Sequence, residues 1–192
     1  MPILDHFGLL APLYETFIHP RDPVQLRALL APPIDGPLLD AGGGTGRVAQ
    51  FLRDVASEIV VTDLSFKMLQ QTAAKDSLHS ACAHAEALPF PDGSFARVIM
   101  VDALHHVCHQ AKTAAELWRV LRPGGRLIIE EPDLRLRGVK LLALAEKLAL
   151  MRSHFLSPPQ IAGLFTTPDA HIHIEVAAPN AWIIMDKLSQ RI

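Results

Sequence analysis

The chain has 192 residues, 49% of them apolar, and a formal net charge of −2. That is the length of one domain, with enough apolar residues to bury a core, and it lacks the basic excess expected of a nonspecific nucleic-acid binder. Cys82 and Cys108 stand apart, without a CxxC or other ligand spacing, so reduced thiols in a cytoplasmic protein are expected.

The first 35 residues carry helical patterns broken by Pro20, Pro23, Pro32 and Pro33, which predicts an N-terminal helical flap over residues 1–35. MPILDHFGLL has no basic segment followed by a continuous apolar one, so export is not expected. Residues 36–133 then alternate: strand candidates at 37–40, 58–62, 79–83, 96–101 and 126–130 are separated by helical patterns near 46–55, 65–75 and 110–121. This alternation predicts an α/β fold of βαβ units around a parallel sheet, with ligands at the carboxyl ends of the strands. Pro123-Gly124-Gly125 predicts a turn before a β-rich run. Residues 134–165 read as a helical insertion of two patterns divided near Ser157-Pro158-Pro159. Its most apolar stretch, Val139 to Met151, is short and carries Lys140, Glu146 and Lys147, so no membrane span is expected. Over residues 166–192, HIHIEVA and AWIIMDK alternate on either side of Ala178-Pro179-Asn180, which predicts an antiparallel hairpin. No repeat or linker divides the chain, and it is expected to form a single domain.

The most informative segment is LLDAGGGTGRVAQFL, residues 38–52. An apolar strand end runs into a glycine-rich turn, after which Val48, Phe51 and Leu52 share a helical face. Gly42, Gly44 and Gly46 permit positive φ and leave bare main chain for a flat ligand. Two ligand classes use such a turn. A dinucleotide fingerprint, GxGxxG, fits imperfectly, since the third glycine counted from Gly42 falls on Arg47. Charge is more telling: a dinucleotide places a pyrophosphate on this turn, whereas S-adenosylmethionine brings an ammonium and a sulfonium. Asp40, just ahead of the glycines with only Ala41 between, suits the cation. Asp63 ends the next apolar strand about 20 residues on, where a carboxylate accepts both ribose hydroxyls of either ligand.

LLDAGGGTGRVAQFL, VVTDLSFKML, AEALPFPDGSFARVIMVDALHHV and ELWRVLRPGGRLIIEEPD together resemble the class I S-adenosylmethionine-dependent methyltransferases, in particular the ubiquinone/menaquinone-biosynthesis (methyltransferase type 11) kind. These four segments, in order, cover most of residues 38–133; FGLLAPLYETFI and HIHIEVAAPNAWIIMDK resemble the family's first helix and closing strand pair more weakly. The resemblance implies a Rossmann-like, doubly wound seven-stranded sheet, mostly parallel with an antiparallel C-terminal strand, and S-adenosyl-L-methionine as cofactor with S-adenosyl-L-homocysteine as product. It implies cofactor contacts at Asp40, Gly42, Gly44, Gly46, Asp63, Leu64 against the adenine, Ala85, Glu86 and the Asp102 backbone. The acid that family members commonly place before the alanine and glutamate, on the adenine amino group, is His84 here. Another acid usual after the phenylalanine is Ala96.

His105 is a candidate general base, because histidine titrates near neutrality, and adjacent His105 and His106 cannot share one face. Tyr14 and Glu131 are candidate acceptor-binding residues, and Glu130 and Asp133 lie beside Glu131 at the pocket mouth by topology. His171 and His173 share a strand face, yet no acid or cysteine spacing accompanies them, so no metal site is expected. The lids would be residues 1–35 and 134–165, whose Phe7, Leu10, Phe17, Leu142, Phe155 and Leu156 suit a small, partly hydrophobic acceptor. A monomer or a homodimer is expected. Two other readings stand: a silent S-adenosylmethionine-binding regulatory domain, and a nicotinamide-dinucleotide oxidoreductase.

Overall fold

The computed structural model describes residues 23–136, 139 and 153–189. Tyr14, Phe7, Leu10, Phe17 and Leu142, with most of the first expected lid and the middle of the second, lie outside the described residues.

Seven strands form one sheet: β1 (Leu38–Ala41), β2 (Ile59–Asp63), β3 (His79–Cys82), β4 (Phe95–Val101), β5 (Leu121–Pro132), β6 (Ala170–Ala177) and β7 (Asn180–Lys187). Their spatial order is β3-β2-β1-β4-β5-β7-β6. The first five are parallel, and β7 lies antiparallel between β5 and β6. This is the expected fold. A six-stranded dinucleotide fold would instead carry one more strand beside β5 in the 3-2-1-4-5-6 order.

Helices α1 (Val24–Leu29), α2 (Phe66–Ala73), α3 (Gln110–Val120) and α4 (Pro158–Ala162) accompany the sheet. Central strands are buried on both faces, so their near-continuous apolar runs divide by alternation. Leu38, Ile99, Ile128 and Ile184 face Leu26, Leu52 and Leu69; Val98, Met100, Leu127, Ile129 and Ile183 face Leu117, Trp118, Ile161 and Phe165.

The helix expected over 46–55 is absent. The chain makes turns and a single 3₁₀ turn, Ala49–Phe51, closed by tight bonds such as Leu52 N–H to the Ala49 carbonyl (2.9 Å) and Val55 N–H to the Leu52 carbonyl (3.0 Å). The segment must end at a bridge from Ala56 to Ile34, and its tighter winding still buries Val48, Leu52 and Val55. The turn at Pro123-Gly124-Gly125 lies inside β5 rather than before it, at a shift in register against β4 between Phe95 and Arg97.

Candidate active site

The chain leaves β3 and returns to β4 beside β1, so β1 and β4 bound the switch point where open α/β sheets bind ligands. The glycine turn stands at its mouth. Gly42 (φ 73°), Gly44 (φ 58°) and Gly46 (φ 72°) all adopt the left-handed region, which glycine enters without a steric cost. Gly42 and Gly43 donate to the Thr62 carbonyl at 2.7 and 3.1 Å, which closes the turn onto the end of β2. Gly43, which the sequence reading passed over, matters for another reason. A Cβ there would lie 2.5 Å from Asp40 Cγ and Oδ2 and 2.8 Å from a Val61 methyl. Three consecutive glycines were the available signal.

Asp40 is 1% exposed, and neither carboxylate oxygen has a hydrogen-bond partner among the described residues. Burial pushes its pKa up to about 7, opposed by the positive charge of Arg47 and reinforced by Asp63. An orphaned acid beneath a bare turn is costly unless something cationic meets it.

Asp63 sits opposite: its Oδ2 accepts the Gly44 amide at 3.0 Å and its Oδ1 accepts the Ser65 amide at 2.7 Å. These bonds orient the carboxylate along the rim of the crevice, with Leu64 beside it half exposed. On the far side, Asp102 directly follows β4 with φ 51°, its amide on the Glu130 carbonyl at 2.9 Å and its carboxylate 2.6 Å from the Arg47 guanidinium. Arg47 is another residue the sequence reading left unassigned; its signal was a cation inside an otherwise apolar face directly after the glycines.

The loop of residues 84–86 is less engaged. His84 is exposed and Ala85 half-buried, while the Glu86 carboxylate accepts the His109 amide at 2.8 Å, at the start of α3.

At the β4–β5 end, Glu131 is 4% exposed and so is His105. Glu131 Oε1 accepts the Leu104 amide at 2.8 Å, and Oε2 lies 2.5 Å from His105 Nδ1. Phe155 stacks on His105 at 4.2 Å and 13°. His106 follows, its ring 4.0 Å from that of His105; burial and the neighbouring charge of His105 push its pKa down to about 3. Glu130 points elsewhere, to Asn180 (2.7 Å) and the Trp182 indole (2.9 Å), and burial raises its pKa. Asp133 is bound by Arg135. Among the described residues no three His, Cys, Asp or Glu side chains converge as a metal site; His171 and His173 are exposed.

Residues 39–129 match the profile of a family described as methyltransferase domain, and this stretch holds the glycine turn, Asp40, Asp63, Asp102 and His105. Residues 39–129 are a class I S-adenosylmethionine-dependent methyltransferase domain. The chain is 38% identical over 104 residues to the ubiquinone/menaquinone biosynthesis C-methyltransferase UbiE of Hahella chejuensis, covering 49% of this chain and 42% of that protein. The UbiE of a Marinomonas species is 37% identical over 106 residues, covering 49% and 41%. The match thus spans about two fifths of the length of these curated relatives. In fold, the chain is similar to one from the complex of the Haloferax volcanii Trm112 methyltransferase activator with a methyltransferase (TM-score 0.80, 18% identity, 97% of this chain and 99% of the other). It is also similar to an S-adenosylmethionine-dependent methyltransferase from Thermotoga maritima (TM-score 0.76, 21% identity, 94% and 98%).

Proposed function

We propose that this chain transfers a methyl group from S-adenosylmethionine to a small-molecule acceptor. The observation that carries the reading is Asp40, a buried carboxylate with no hydrogen-bond partner among the described residues, set under a turn whose glycines leave room for a ligand. The residues fit the cofactor: Asp40 takes the cationic methionyl end, Gly42 and Gly44 present main chain, Asp63 takes the ribose hydroxyls, Leu64 lies against the adenine and the Asp102 backbone lines the methionyl side. When bound, S-adenosylmethionine supplies an electrophilic methyl on a sulfonium, and the protein's part is alignment and exclusion of water.

The acceptor side is built from the 104–106 turn, Glu131 and residues 153–157, where Phe155 and Leu156 are half-buried. The terminal hairpin completes the sheet beside the 36–133 core, within one domain. The names of the UbiE relatives make a quinone-related acceptor the first to try. No helix among the described residues is long and apolar enough to cross a membrane, and the two cysteines are exposed and unbridged, in keeping with a cytoplasmic chain.

Titration calorimetry with S-adenosylmethionine, S-adenosylhomocysteine and a nicotinamide dinucleotide tests the cofactor. Micromolar binding of the first two supports the reading; binding of the dinucleotide alone overturns it. A second reading, a silent cofactor-binding domain, is favoured by His84 in place of the usual acid. Binding without turnover on phenolic, amine and quinone-like acceptors would establish it.

A further inference from the structure

We infer that Thr72 is a positioning residue for the cofactor: from the buried face of α2 its hydroxyl fixes the peptide that follows Gly44, and through Gly44 it sets the glycine turn against Asp63. This rests on the methyl-transfer reading above and extends it to a residue that is 0% exposed and acts on the ligand only through the turn.

Thr72 is an unusual residue for its place. α2 buries Met68, Leu69 and Thr72 on one face, and a β-branched side chain with a hydroxyl suits neither a helix nor an apolar face. A threonine inside a helix commonly satisfies its hydroxyl on the carbonyl one turn back. Thr72 instead reaches out of α2, and its Oγ1 donates to the Gly44 carbonyl at 2.8 Å. A hydroxyl has one proton, so this bond takes all that Thr72 can donate.

Gly44 is thereby held on both sides. Its amide donates to Asp63 Oδ2 at 3.0 Å, and its carbonyl accepts Thr72. Peptide groups are planar, so the two bonds fix the planes before and after Gly44, and with them its φ and ψ. Both partners come from one β2–α2 unit, Asp63 at the end of the strand and Thr72 near the end of the helix. Lys75, just past α2, takes the next carbonyl, that of Thr45, at 2.6 Å. The turn also rests on Thr72 by contact: a Cβ added at Gly46 would lie 3.3 Å from Thr72 Oγ1 and 3.4 Å from its methyl. Gly44 itself keeps a bare face, where the nearest atom to an added Cβ is Asp63 Oδ2 at 3.8 Å.

The consequence falls on binding more than on folding. Glycine has the widest backbone choice of any residue, and a Gly44 pinned through its amide alone is free to turn the peptide that follows. The main chain offered to the cofactor, and the Asp63 carboxylate bonded to it, are then correctly set in only part of the population. Apparent affinity falls by that fraction.

Thr72→Val keeps the shape of the side chain and removes the hydroxyl, whereas Thr72→Ser keeps the hydroxyl and removes a methyl. Calorimetry with S-adenosylhomocysteine on the folded variants, far from their urea transitions, reads affinity apart from stability. The expected result is a loss of about fivefold or more in Thr72→Val, the size of one net hydrogen bond, with a smaller loss in Thr72→Ser. The Gly44 carbonyl ¹³C resonance should move upfield in Thr72→Val and stay in place in Thr72→Ser. A loss below about fivefold in Thr72→Val, an equal loss in Thr72→Ser, or an unmoved carbonyl in Thr72→Val overturns the proposal. Should Thr72→Val not fold, Thr72→Ser decides alone: a loss below about fivefold with the carbonyl in place supports the hydroxyl's role, and any other result overturns it. Failure of the methyl-transfer reading is separate: the unaltered protein then binds neither S-adenosylmethionine nor S-adenosylhomocysteine, while the carbonyl resonance still reads the Thr72–Gly44 bond.

Discussion

The guanidinium of Arg47 lies 2.6 Å from the carboxylate of Asp102, which ties the glycine turn to the end of β4 across the mouth of the crevice. The same cation pulls the pKa values of Asp40 and Glu130 down against the upward push of their burial. One positive charge therefore serves carboxylates at the ends of three neighbouring strands. Asp102 meets it from a backbone conformation, φ 51°, that most side chains avoid, and residues held so at strand ends are often parts of a site.

Two substitutions separate the charge at Asp102 from its backbone. Asn tolerates the left-handed region, so Asp102→Asn removes only the ion pair; because the aspartate side chain is 35% exposed, the loss is about 1 kcal/mol or less. Asp102→Val adds a β-branched residue at positive φ, for a total of about 3 kcal/mol. Urea denaturation measures both, and equal losses would show that the backbone conformation is not what Asp102 supplies.

Asp40 makes the stability of the ligand-free protein depend on pH in an unusual direction. Its folded pKa, about 7, lies above the ordinary 3.8, so between these values the folded state holds more protons than the unfolded one. Stability from this group is complete below about pH 4 and is lost as the pH rises through 7. Asp40→Asn should flatten that decline and stabilise the ligand-free protein at pH 8 by about 2–4 kcal/mol, while weakening S-adenosylmethionine binding at least tenfold. Where the native protein binds S-adenosylmethionine below pH 7, Asp40 should give up a proton. Calorimetry in buffers of different ionisation heat counts it.

Much of this site was legible because its acids end strands: Asp40 and Asp63 follow short apolar runs, and a period of two followed by a helical pattern locates such junctions from neighbouring residues alone. The terminal hairpin was legible for the same reason. Pairings between distant residues were not. Arg47 and Asp102 lie 55 residues apart, and His105 and Glu131 lie 26 apart; local periodicity carries no information about which side chains meet across strand ends. The expected helix after the glycines failed because a tertiary constraint, the Ile34–Ala56 bridge, overrode a helical pattern. Gly43 was missed because its role is the space it leaves for Asp40, and its own conformation does not show that.

Gly43 and Gly44 should therefore respond differently to the same substitution. Gly43→Ala drives a methyl into Asp40 and Val61, and overpacking of this kind costs about 1–3 kcal/mol as well as displacing the carboxylate. At Gly44 the nearest atom to an added Cβ is Asp63 Oδ2, at 3.8 Å, so Gly44→Ala meets only the strain of positive φ, about 1 kcal/mol. Thermal melts with and without S-adenosylhomocysteine should show that ligand stabilisation is largely lost in Gly43→Ala and partly kept in Gly44→Ala.

Glu86 and Asp63 make the last contrast, because both carry acids in segments that resemble cofactor-binding motifs. Glu86 already spends an oxygen on the His109 amide, where the first turn of α3 leaves amide groups unpaired and favours a negative charge. Its truncation, Glu86→Ala, should remove about 0.5–1 kcal/mol of stability and change S-adenosylhomocysteine affinity by less than about threefold. Asp63 instead fixes Gly44 and Ser65 at the rim of the crevice, and Asp63→Ala unbinds the turn and removes the ribose acceptor together. Its affinity should fall by about a hundredfold, the sum of two lost charged hydrogen bonds at about 1.5 kcal/mol each. Calorimetry beside urea denaturation reads both variants. A large affinity loss at Glu86 would place that side chain on the adenine and assign its bond to His109 to the ligand-free state alone.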